Sequence, residues 1–124
     1  MATILIIEDS RFTRSSIAKA LKANAYEVLE ADNGALGLAM IIKHSPDIII
    51  SDLLMPEMDG FELLESLRSQ GIAIPVIIMS ADIQETTRRR VLELGAKTLL
   101  NKPFQGPALL EVLQNLGIGK GAPS

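Results

Sequence analysis

Short apolar runs alternate with amphipathic stretches along nearly the whole chain, and this alternation restricts the fold more than any other feature. The runs are Ile4 to Ile7, Tyr26 to Leu29, Ile48 to Ile50, Val76 to Met79 and Thr98 to Leu100. They are short, turn-forming residues flank them, and four are rich in Val, Ile or Leu, so each reads as a strand rather than a buried helix. Pro46-Asp47 and Pro75 introduce the third and fourth runs, at the strand start where proline is tolerated. The stretches between them, roughly 10–24, 34–44, 58–70, 83–95 and 105–116, have helical character. Phe61, Leu64 and Leu67, then Leu109, Val112, Leu113 and Leu116, recur at three- and four-residue spacings. Asp59-Gly60, Gly71 and Gly95 fall where helices begin or stop. Regular strand-helix alternation in 124 residues predicts an α/β doubly wound parallel sheet of five strands with helices on both faces. Cover on both faces also explains strands that are apolar throughout. One domain over 1–116 is expected, followed by a loose glycine-containing tail over 117–124.

Composition narrows the function classes. Twelve basic and 15 acidic residues give a net charge of -3, which provides no general attraction to nucleic acid or anionic lipid. Arg88-Arg89-Arg90 is the one basic cluster, and three residues read better as a solvated helix face than as a binding stripe. The absence of cysteine rules out a disulfide framework and favours a cytoplasmic protein. The N-terminal apolar run lacks a basic lead and is too short for a secretory signal or membrane span.

In an open parallel sheet, ligands bind outside the carboxyl ends of the strands. Those ends carry Glu8-Asp9, Asp52, Ser80-Ala81 and Asn101-Lys102-Pro103-Phe104. Three carboxylates, a hydroxyl and a lysine are therefore expected to converge on one rim. Clustered carboxylates repel and hold protons unless a cation neutralises them. Magnesium suits such a site, because it takes oxygen ligands and leaves room for water and phosphate. Lys102 and Ser80 add a point charge and a donor suited to phosphoryl oxygens. The set fits phosphoryl transfer with Asp52 as the nucleophile, since aspartate can carry a covalent phosphoryl group. It also supplies a reason for a buried strand to finish on a carboxylate.

With Glu8-Asp9 after the first apolar run, Asp52-Leu53-Leu54-Met55-Pro56-Glu57-Met58-Asp59-Gly60, Ser80-Ala81 and Lys102-Pro103-Phe104, residues 3–116 resemble the receiver domains of bacterial two-component response regulators. The single-domain chemotaxis regulators typify that family. The resemblance implies a flavodoxin-like strand order, 2-1-3-4-5. It implies that Asp52 accepts a phosphoryl group from a histidine kinase or histidine phosphotransfer protein, and that the domain is a switch assisting its own phosphorylation rather than an enzyme. Glu8, Asp9, Asp52 and the backbone carbonyl of Leu54 would hold magnesium, or manganese in its place. Ser80 and Lys102 would contact the phosphoryl group, and a cis peptide is expected before Pro103. Leu99 departs from the pattern, since family members often place an aromatic residue there that turns inward on activation. How phosphorylation reshapes the face of the fourth helix, fifth strand and fifth helix therefore does not carry over. With no DNA-binding or enzymatic domain after residue 116, the expected output is binding to a downstream protein by a monomer or weak dimer.

Several residues have plainer explanations. Ser10 reads as a helix N-cap, His44 as a surface or capping residue near a helix end, and Gly34-Ala35-Leu36-Gly37 as close helix packing rather than a dinucleotide loop. Leu54 and Asp82 are expected to flank the entrance for hydrolytic water. Two rival functions remain open. A haloacid-dehalogenase-like phosphatase would need a second aspartate where Leu54 stands. A receiver-shaped scaffold that ignores phosphate is the other; the intact Glu8, Asp9, Asp52, Ser80 and Lys102 weigh against it, while Leu99 keeps it open.

Overall fold

The computed structural model describes residues 2–118. Its elements alternate without exception: β1 (Thr3–Ile7), α1 (Arg11–Ala23), β2 (Glu27–Ala31), α2 (Gly34–His44), β3 (Ile48–Asp52), α3 (Gly60–Ser69), β4 (Val76–Ser80), α4 (Glu85–Glu93), β5 (Thr98–Asn101) and α5 (Gly106–Asn115). All neighbouring strands are parallel, and the sheet order is β2-β1-β3-β4-β5. This is the doubly wound, flavodoxin-like architecture that the sequence implied.

Strand alternation divides the core into two layers. Leu5, Ile7, Ile49 and Ile78 face Ile41 of α2, Leu63, Leu64 and Leu67 of α3, and Val91 of α4. Ile4, Ile6, Ile48, Ile50, Ile77 and Met79 face Ile17 and Leu21 of α1 and Leu109 and Leu113 of α5. Each buried Ile or Leu side chain is worth roughly 1.5–3 kcal/mol against exposure, so β1, β3 and β4 anchor the sheet from both sides. β2 differs: Glu27 and Glu30 are exposed on this edge strand, so apolar character throughout holds for the central strands only.

Local chemistry sets the helix ends. Ser10 Oγ accepts the Thr13 N–H at 3.3 Å, as expected of an N-cap. Asp59 and Glu62 form a reciprocal capping box at the start of α3. Gly71 and Gly95 adopt positive φ (69° and 109°) just past α3 and α4, a backbone conformation that glycine takes without strain.

Two boundaries depart from the sequence reading. Tyr26 does not begin the second strand. Its N–H bonds to the Leu21 carbonyl, and its buried side chain donates to the Ile118 carbonyl at 2.7 Å, so its apolar character serves the α1–β2 corner. By contrast, β3 and β4 end on Asp52 and Ser80 as the sequence implied, carried there by the ladder pairs Asp52↔Met79 and Ser80↔Asn101. Within the expected loose tail, the Gly117 and Ile118 N–H groups bond to Gln114 and Leu113 carbonyls, and Ile118 packs on the α1–α5 core layer. Residues 119–124 of that tail lie outside those described.

The Gly34–Gly37 stretch does mark close packing. A Cβ on Gly37 would stand 2.4 Å from Ile7 Cδ1 and 2.8 Å from its Cγ1, and Ile7 is fully buried. Gly37→Ala should therefore destabilise the fold by about 1–3 kcal/mol through overpacking. Helix propensity alone would give about 1 kcal/mol of stabilisation. The sign of the change in urea midpoint decides between them.

Candidate functional site

The functional rim forms where β1, β3, β4 and β5 end. β1 and β3 are neighbours, while the chain leaves β1 for β2 on its other side. The crevice of a doubly wound sheet opens at such a reversal. Glu8 and Asp52 stand on its two banks, both buried, at 2% and 8% exposure. One carboxylate oxygen each from Glu8, Asp9 and Asp52 lies within 4.8 Å of the other two.

Lys102, just after β5, reaches across the crevice. Its Nζ donates to Glu8 Oε1 at 2.9 Å and to Asp52 Oδ2 at 3.2 Å. Its backbone N–H bonds to the Ser80 carbonyl at 2.9 Å, which ties β5 to β4 at the same level, and the Lys102–Pro103 peptide bond is cis. Glu8 Oε2 accepts the Ser10 N–H at 3.1 Å. Ser80 is buried, and its hydroxyl oxygen accepts the Asp82 N–H at 3.0 Å. Asp82 in turn accepts from the Gln84 N–H at 3.0 Å and the Thr87 hydroxyl at 2.8 Å. These bonds, led by that from Gln84, hold the Asp82 carboxyl below its usual range.

Leu54 sits beside the rim at 70% exposure. Together with Leu53, Phe61, Ser80, Asp82, Thr86, Thr87 and Arg90 it lines an open cavity of about 320 Å³. Leu99 points away from solvent into the core layer beneath α2, α3 and α4. His44 ends α2 on the exposed surface. In the basic cluster Arg89 and Arg90 are exposed and Arg88 half-buried, in keeping with a solvated helix face, and the Arg90 guanidinium also lies 3.8 Å from the centroid of the Phe61 ring. Arg14, Phe61 and Thr87 support the rim; sequence reading passed over Arg14 and Thr87 and took Phe61 only as an apolar helix position. Arg14 Nη1 donates to the Glu8 carbonyl at 2.8 Å, and its Nε to Glu30 Oε1 at 3.2 Å. No local signal marks Arg14, since only the β1–β2 pairing, with Ile6 opposite Glu30, brings its second partner into reach.

Comparison with known proteins settles the family. Residues 4–114 match the response regulator receiver domain. The chain belongs to that family. The receiver is 37% identical over 111 residues to the chemotaxis protein CheY of Bacillus subtilis, covering 89% of this chain and 92% of that one. It is 41% identical over 110 residues to a probable transcriptional regulatory protein of Picosynechococcus, covering 83% of this chain but only 44% of the relative. The receiver thus spans less than half of that longer regulator and nearly all of the chemotaxis protein. Among solved structures, the receiver domain of a Francisella response regulator superposes with a TM-score of 0.90 at 30% identity, covering 94% and 96% of the two chains. The chemotaxis response regulator CheY4 of Vibrio cholerae gives 0.87 at 33% identity, covering 94% and 98%.

The electrostatics of the receiver's rim suit a divalent cation. One ammonium faces three carboxylates, so two negative charges remain without a counter-charge from Lys102. All the ligand atoms on offer are hard oxygens, the donor set that magnesium prefers. Burial pulls the Lys102 ammonium down, but the bond to Glu8 and the charge of Asp52 outweigh it, and the group is raised overall. Asp9 is raised above the ordinary 3.8, first by a hydrogen bond shared with the Glu8 carboxyl, then by burial and by the Glu8 charge. A carboxyl whose folded pKa lies above its unfolded value costs stability once it ionises. The cost is absent below the unfolded pKa, and complete above the folded one. Asp9→Asn should therefore raise the melting temperature of the metal-free receiver at neutral pH, and the gain should disappear in melts below pH 3.8.

Proposed function

We propose that this receiver is a phosphorylation-dependent switch in which Asp52 accepts a phosphoryl group from a phosphohistidine on a histidine kinase or histidine phosphotransfer protein. The observation that carries the reading is the buried Asp52 carboxylate, held by the Lys102 ammonium at 3.2 Å and grouped with Glu8 and Asp9. A strand-end carboxylate in that setting is reachable from the crevice yet largely desolvated, as a nucleophile toward phosphorus should be.

The chemistry is a displacement at phosphorus. An Asp52 oxygen forms the new P–O bond as the bond to the donor's imidazole nitrogen breaks, and that nitrogen keeps the electron pair and takes up a proton. Glu8, Asp9, Asp52 and the Leu54 carbonyl would hold magnesium, which when bound offsets charge on the transferring group. Lys102, already aimed between Glu8 and Asp52, can follow the charge from the carboxylate to a phosphoryl oxygen. The Ser80 hydroxyl proton is free to donate to another, because the Asp82 N–H approaches the Ser80 oxygen as a donor. A phosphoryl group that recruits Ser80 and Lys102 favours one conformation of the β4–α4 and β5–α5 corners, shifting the population toward a form that binds a downstream protein. The buried Leu99 means that any such shift proceeds without an aromatic ring at this β5 position.

Replacement of Asp52 by Asn or Ala should abolish covalent labelling by a small phosphoramidate donor in magnesium, with the fold intact by circular dichroism. Continued stoichiometric labelling of either folded variant would refute the assignment. Leu54 and Asp82 border the cavity beside Ser80, on a route by which water can approach the phosphorus. Exchanging both side chains should change the dephosphorylation rate several-fold, and an unchanged rate would remove them from that role.

A further inference from the structure

Glu8 is held at every polar atom. Its N–H bonds to the Ala31 carbonyl at 3.0 Å, Lys102 takes one carboxylate oxygen and the Ser10 N–H the other. Its carbonyl accepts from Arg14. Asp9 is different, because it is exposed, and its aim depends on how the backbone delivers it. The peptide unit joining the two residues is planar, so the direction of the Glu8 carbonyl fixes where the Asp9 Cα lies. The Arg14 guanidinium grips that carbonyl, and Glu30 on β2 holds the guanidinium through Nε. The Arg14 side chain is only 17% exposed, and a rigid fork with two partners on two strands loses little freedom in staying put.

We infer that Arg14 is a positioning residue for the metal-binding carboxylates: it fixes the Glu8–Asp9 peptide and so aims Asp9 at the divalent cation. The inference deepens the functional reading above and depends on it. Charge and position make opposite predictions here. A guanidinium bonded to the backbone carbonyl of Glu8 adds positive charge that opposes a second cation, so by charge alone its removal should tighten magnesium binding. As the holder of the Glu8–Asp9 peptide, its removal should weaken it.

The test is magnesium binding by calorimetry to the wild type, Arg14→Met and Arg14→Lys, with thermal melts in chelator and amide hydrogen exchange over residues 8–12. Arg14→Met should bind magnesium about tenfold more weakly, the scale of losing an outer partner at a metal site. Its amides over residues 8–12 should exchange faster while those of the β3 core stay protected. Arg14→Lys keeps the charge but not the fork, so its binding should fall between the other two. Equal or tighter binding by Arg14→Met overturns the inference and leaves the functional reading standing. A wild type that binds no magnesium overturns both. If Arg14→Met does not fold, Arg14→Lys decides: wild-type affinity overturns the inference, and weaker binding at unchanged charge supports it.

Discussion

One ammonium group holds the rim together. Lys102 comes from the end of β5, yet its partners, Glu8 and Asp52, belong to the ends of β1 and β3. An unpaired carboxylate at 2% or 8% exposure would be costly to bury. The ammonium makes both carboxylates tolerable, and it spans the sheet in doing so. The span is possible only because β4, seated between β3 and β5, ends level with them and fixes Lys102 through the Ser80 carbonyl. Ladder register thus sets the reach of the lysine, and the reach decides which carboxylates it pairs.

The same clamp is incomplete by design of charge: three carboxylates face one lysine. A divalent ion would complete it, and a phosphoryl group would reorganise it. Crowding of the three carboxylates carries a cost, and the raised Asp9 carboxyl shows where it falls. The supporting residues sit one layer out. Ser10 and Arg14 secure the β1–α1 corner, while Asp82 and Thr87 secure the β4–α4 corner.

Much of this was legible in the sequence for a physical reason. In a parallel sheet the strand ends share one rim, so finding Ile4–Ile7, Ile48–Ile50 and Val76–Met79 was enough to bring Glu8, Asp9, Asp52 and Ser80 together. Helix caps were legible too, because Ser10 and Asp59 act over three residues. What escaped depends on contacts distant in sequence. Tyr26 carries strand-like apolarity, but its hydroxyl finds Ile118 across 92 residues. Arg90 reads as a solvated charge until Phe61 of α3 is placed beneath it. Arg14 reads as an ordinary helix residue until β2 brings Glu30 alongside. The edge strand β2 was recognised but placed a residue early, since its exposed glutamates weaken the apolar signal that marks the central strands.

Magnesium titration followed by carboxyl carbon NMR tests the central claim, that the rim is one charge-coupled unit, most directly. The account predicts that the side-chain carboxyl signals of Glu8, Asp9 and Asp52 move together along one saturable curve, with the Lys102 Nζ signal responding at the same midpoint. Independent curves, or Glu8 and Asp52 signals that stay fixed while other surface carboxylates respond, would contradict it.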